Sequence, residues 1–124
     1  YRNTNMLMWN KELWLIDHGA AYYFHHSWDN WEVSAKTKFP QIKDHVLLKN
    51  ASKLEEVDTE FKTILSNEFI DELVDLIPDE WYEVEAYHMS IAEMREAYKG
   101  FIKLRRDHSI NFINEANDAR KNLI

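Results

Sequence analysis

Cysteine is absent, and glycine and proline occur only twice each, as Gly19, Gly100, Pro40 and Pro78. Without cysteine there is no disulfide and no thiolate zinc site. A dinucleotide-binding G-x-G-x-x-G loop takes three glycines and a Walker loop takes two at fixed spacing, so neither can be built here. No serine has a glycine neighbour, which excludes the G-x-S-x-G elbow of serine hydrolases. No apolar stretch approaches the roughly 18 residues of a membrane span. Tyr1 stands directly before patterned sequence, with no basic and apolar leader ahead of it. These features predict a soluble, cytoplasmic chain that starts partway through a larger parent protein. Basic charge is also scarce: 22 acids face 15 bases, a net charge of −7, which disfavours general binding of phosphate backbones. Acids are plentiful enough for a glycosidase-type pair, but no feature selects one.

What the chain does have is apolar and aromatic mass. Five Trp, six Tyr and six Phe within a 45% apolar composition supply a core for the 124 residues, which read as a single domain. Two segments differ in kind. Residues 1–38 carry no net charge, four of the five tryptophans and three of the six histidines. Met6-Leu7-Met8-Trp9 and Leu13-Trp14-Leu15-Ile16 are short apolar runs flanking Asn10-Lys11-Glu12, and asparagine at the head of so tight a connection predicts a β-hairpin. The second run stops at Asp17-His18-Gly19, where glycine can take a backbone conformation others avoid. Ala20 to His26 reads as a short helix or turn, followed by an irregular tryptophan-rich loop to Phe39-Pro40. Trp9, Trp14, Tyr22, Tyr23, Phe24, Trp28 and Trp31 are expected to fill a core between hairpin and helices. Exposed Trp28 and Trp31 are also candidates for an interface.

Residues 39–124 read as a helical lobe. A short helix is expected over Gln41–Asn50 and a longer one over Ser52–Leu65, broken near Asp58-Thr59. Ser66 caps Asn67–Ile77, whose Phe69, Ile70, Leu73, Val74 and Ile77 keep helical spacing. Pro78-Asp79 ends that helix, and Trp81 and Tyr82 fall on a short turn. Ser90 and Glu93 form a capping box opening a helix to about Asp107, and Ser109 is expected to cap a terminal helix. Charge is segregated along this lobe: residues 55–96 carry a net −12, residues 97–124 a net +3. Solvated helix faces account for most of this, with Arg105 and Arg106 at a helix C-terminus where the dipole favours cations.

The stretch that points to chemistry is Arg2-Asn3-Thr4-Asn5, then the hairpin, then Ile16-Asp17-His18-Gly19. Phosphoryl transfer needs the triphosphate charge neutralised by Mg²⁺ on hard oxygen ligands. A hairpin between a loop asparagine and a strand-end aspartate brings both to one metal, and Asn3 and Asp17 flank two predicted strands at a spacing of fourteen. Single-residue readings compete: asparagines satisfy loop backbone groups, and Asp17 can cap a following helix. His18, His25 and His26 offer a transition-metal alternative, weakened because adjacent His25 and His26 point in different directions.

Arg2-Asn3-Thr4-Asn5-Met6-Leu7, followed by Leu13-Trp14-Leu15-Ile16-Asp17-His18-Gly19-Ala20-Ala21 and Phe24-His25-His26, resembles the HipA-like kinase domain family. These are bacterial serine/threonine kinase relatives, some of them toxins of toxin–antitoxin pairs. Thr4 replaces the proline usual there. Asp44-His45-Val46-Leu47-Leu48 and Ile77-Pro78-Asp79-Glu80-Trp81 resemble the helical C-terminal lobe of the same group. The resemblance implies Asn3 and Asp17 as metal and nucleotide ligands, with Thr4, Asn5, His18 and Gly19 around them. It implies ATP and Mg²⁺ as cofactors and a protein hydroxyl as acceptor. It also implies a general base five residues before Asn3, upstream of Tyr1, together with a nucleotide-clamping lobe.

The fold expectation is therefore mainly α: a helical C-terminal kinase-like lobe of four to six helices with one N-terminal β-hairpin, divided into a hairpin and metal-site segment (1–38) and a helical lobe (39–124). The functional expectation is the C-terminal portion of a HipA-like ATP/Mg-dependent serine/threonine protein kinase, inactive alone and acting on a protein partner rather than a membrane. The alternative is a non-catalytic helical interaction module with an acidic face.

Overall fold

The computed structural model describes residues 5–18, 21, 22, 24 and 28–123. The chain is mainly α with one antiparallel hairpin at its N-terminal end, as expected. Strands β1 (Met6–Trp9) and β2 (Glu12–Leu15) pair Met6 with Leu15 and Trp9 with Glu12. The connection is two residues, not three, because Asn10 (φ 50°) and Lys11 (φ 67°) both adopt left-handed backbone. That is the primed turn whose twist matches paired strands, and asparagine tolerates it best among non-glycine residues. Glu12 therefore joins β2, and Ile16 lies beyond it.

Helices α1 (Trp31–Ala35), α2 (Leu54–Ile64), α3 (Asn67–Asp75), α4 (Val84–Tyr87), α5 (Ile91–Asp107) and α6 (Ile110–Lys121) follow. The Ser66 hydroxyl accepts from the Phe69 amide, and the Ser90–Glu93 capping box is complete. Several expectations are corrected. Residues 31–35, expected in a loop, form α1. Gln41–Asn50 is two 3₁₀ turns, Pro40–Asp44 and Leu48–Asn50. The helix expected to break near Asp58-Thr59 runs unbroken, with Thr59 and Thr63 returning their hydroxyls to the carbonyls of Glu55 and Thr59. Ser109 makes no side-chain cap; it is buried at the sharp turn between α5 and α6. The short helix or turn expected over Ala20–His26 falls largely outside the described residues.

Helix α5 is the spine. On one side α1 lies against it, and Trp31 covers Gly100 so closely that a Cβ there would stand 2.4 Å from the indole. Phe24, Ala35 and Phe101 are buried beside this contact, with Tyr22, Trp28, Tyr98 and Ile102 around them. Trp28 and Trp31 are thus packed rather than exposed. On another side α3 runs antiparallel to α5, with Ile70, Val74 and Met94 fully buried. Three ion pairs spaced one helical turn apart mark the register: Lys103–Asp71 (2.5 Å), Lys99–Asp75 (2.9 Å) and Arg95–Asp79 (2.7 Å). Part of the acidic excess in residues 55–96 is therefore matched within the chain. Exposed pairs of this kind add little energy each, but a shifted register would leave all three mismatched.

Arg105 and Arg106 do more than complement the dipole. Arg105 donates to the carbonyls of Ala35 and Thr37 and lies over the Phe112 ring, and burial lowers its pKa. Arg106 donates to the Leu65 carbonyl and the Asn67 side chain. Together they tie the α1 and α2 exits to the end of α5.

Two outcomes are expected. Gly100→Ala gains about 1 kcal/mol of helix propensity but forces Trp31 off its seat, an overpacking cost of about 1–3 kcal/mol. The urea midpoint should therefore fall rather than rise. Three carboxyls contribute to the acid limb of stability. Glu93 is lowered by the Ser90 amide and hydroxyl, and Glu68 by its own amide and Ser66. Burial raises Asp58, but Lys62 and Ser109 outweigh it, so Asp58 is lowered too. A depressed folded pKa stabilises above the unfolded value and is lost as pH falls through the folded one. Urea midpoints should therefore drop as pH falls below about 4.5, near the ordinary carboxyl values. The drop should be shallower in Glu93→Gln.

Candidate functional site

The two strands end in a closed base. The Ile16 amide donates to the Asn5 carbonyl (2.9 Å), and the Asn5 side-chain amide donates to the Asp17 carbonyl (3.1 Å). Asn5 (φ 50°) and Asp17 (φ 57°) are both left-handed. Asparagine and aspartate accept that region most readily among residues with a Cβ. Two strand-end residues in sparsely populated backbone are thus clamped to each other, and Asp17 is an exposed residue. The clamping residue is Asn5, two positions after the expected ligand Asn3.

Of the expected site residues, Asn5 and Asp17 are brought together here, and His18 follows Asp17 in the chain. Asn3, Thr4, Gly19, His25 and His26 lie outside the described residues. Among the described residues no group of three or more His, Asp or Glu side chains is placed to hold a metal. Asp17 supplies a carboxylate and Asn5 a side-chain amide at the hairpin end. That suits an ion such as Mg²⁺, which keeps water and phosphate oxygens and takes few protein ligands.

The hairpin was expected to share a core with the helices, and it does not. Leu7, Met8, Trp9, Leu13, Trp14 and Leu15 are all about half exposed or more. Cross-strand partners share a face, so Met8 and Leu13 lie on one side and Leu7 and Trp14 on the other. Both faces are therefore apolar and open. Trp9 and Trp14 leave the expected core; Tyr22, Phe24, Trp28 and Trp31 remain in it, and Tyr23 is outside the described residues.

A second feature escaped the sequence. Beside His18, a cleft of about 740 Å³ opens between α3, the 3₁₀ turn Asp79–Trp81, α4 and α5. Six aromatic rings line it: Tyr22, Trp28, Trp81, Tyr82, Tyr87 and Tyr98. Their edge-to-face packing includes Trp28–Tyr98 at 5.2 Å and Tyr22–Tyr98 at 5.7 Å between ring centres. Burial raises the phenols of Tyr22, Tyr82 and Tyr98, which keeps them neutral. These rings come from five separate stretches of chain, so no periodicity in the sequence connects them. The one available signal was the crowding of Trp81, Tyr82 and Tyr87 just before the capping box.

Comparison with protein-family models, with curated proteins and with solved structures gave no match.

The clamp makes a specific prediction. Asn5→Ala removes the bond to the Asp17 carbonyl and a residue suited to left-handed backbone, a loss of about 1 kcal/mol. Because the hairpin stands apart from the helical core, the effect should be local. Amide exchange at Ile16 should accelerate about fivefold, with the urea midpoint of the helices unchanged.

Proposed function

We propose that this chain is the C-terminal portion of an ATP- and Mg²⁺-dependent serine/threonine protein kinase of the HipA-like class. The carrying observation is the closed hairpin base. Asn5 follows directly on the Arg2-Asn3-Thr4 segment and is hydrogen-bonded across to Asp17. Asn5, two positions after Asn3, is thus held against Asp17, and this supports the reading. In this reading Asp17 and Asn3 hold the cation, and the cation supplies charge neutralisation to the nucleotide phosphates. Asn5 positions Asp17 by its backbone. The general base and the nucleotide-clamping lobe belong to the parent protein, so these 124 residues alone transfer no phosphate.

The apolar exposure of both hairpin faces supports the same reading. A two-stranded hairpin is marginal in water by itself, and one apolar on both faces suits a position covered on both sides. The same exposure would also serve the second reading, a non-catalytic helical interaction module.

Asp17 separates them. In the parent protein, Asp17→Ala should abolish Mg²⁺–nucleotide binding measured by calorimetry, and Asn5→Ala should weaken it several-fold. Nucleotide binding that survives Asp17→Ala unchanged, or a wild-type parent that binds none, would leave the interaction module as the better account.

A further inference from the structure

The aromatic cleft beside α5 is distinct from the proposed cation ligand: His18 lines it and Asp17 does not. We infer that it binds an organic cation, one whose charge is carried on a carbon-substituted nitrogen attached to an apolar body.

Four observations carry this. First, the lining is aromatic to an unusual degree, and aromatic faces are electron-rich surfaces that attract cations, tryptophan most strongly. Second, the charge is one-sided. Among the described lining residues Glu83 is the one carboxylate, none is lysine or arginine, and His18 is the one imidazole. An anion would find only that imidazole, whereas a cation meets the Glu83 carboxylate and the ring faces. Third, the wall already binds a cation within the molecule. The Arg95 guanidinium stands 5.2 Å from the centre of the Tyr82 ring, held there by Asp79 and the Ile77 carbonyl. Fourth, Trp28 is held at φ 59°, a left-handed conformation that a bulky residue takes only against strain, and in it lines the cleft.

The size sets the body of the ligand. About 740 Å³ is far more than a bare trimethylammonium fills and lies in the range of ordinary small-molecule sites. Leu73, Ile77 and Ile102 supply aliphatic surface for an apolar substituent. A strongly hydrated primary ammonium gains less here than an alkylated one, because it must give up more water to reach the rings.

The test uses the chain as it is. Benzyltrimethylammonium and choline are titrated against the protein, with 3,3-dimethyl-1-butanol as the uncharged isostere of choline. Binding is read by tryptophan fluorescence and by the indole N–H resonances of Trp28 and Trp81. Benzyltrimethylammonium should bind saturably and more tightly than choline. The uncharged alcohol should bind at least about tenfold more weakly than choline. Trp81 is 74% exposed and Glu83 is also exposed, so Trp81→Ala and Glu83→Gln should keep the wild-type urea midpoint. The first should weaken cation binding about tenfold and the second about threefold. The inference fails if the alcohol binds as well as choline, if neither variant weakens binding, or if no cation saturates. None of these outcomes bears on Asp17 and nucleotide.

Discussion

The contact between Trp31 and Gly100 is the constraint on which the rest of the helical body depends. An indole can lie on a helix backbone only where the side chain beneath it is missing, and α5 offers one such place. Seating Trp31 there fixes α1 against α5 and brings Ala35 into full burial beside Phe24 and Phe101. It also fixes where the chain leaves α1, so that Arg105 reaches the carbonyls of Ala35 and Thr37. The opposite partner, α3, is held by buried Ile70 and Val74, and its register by the Asp71, Asp75 and Asp79 pairs. Burial supplies most of the energy, while the ion pairs discriminate between registers.

The hairpin obeys different physics. Its turn, its pairing and its base are all settled by residues within fourteen positions of one another, mainly Asn5, Asn10 and Asp17. It takes little from the helices, and its apolar side chains remain open. A two-stranded hairpin is marginal in water by itself, so cover over these open apolar faces is what the proposed kinase reading needs for the segment.

The aromatic residues divide between two tasks that composition does not separate. Phe24 and Phe101 are buried, and Trp31 packs beside them. Tyr82 and Tyr98 pack on the same spine yet line an open cleft, with Trp81 exposed at its edge. Tyr22 and Trp28 belong to both sets. The core and the cleft thus share a wall, so the cleft's shape is held by the same contacts that hold α5.

The sequence by itself determined whatever depends on neighbours a few residues apart. The Asn10 turn, the Ser66 cap, the Ser90–Glu93 box and the i, i+3/i+4 stripe of α3 were legible because capping and turn hydrogen bonds close within three or four residues. Tertiary structure decided the rest. It made residues 31–35 a helix, because Trp31 had Gly100 to pack against. It turned Ser109 from an expected cap into a buried corner and left Trp9 and Trp14 outside the core. It also gathered six rings from distant positions into one cleft. Each of these outcomes rests on contacts between residues far apart in the chain, and such contacts leave no periodic trace in the sequence.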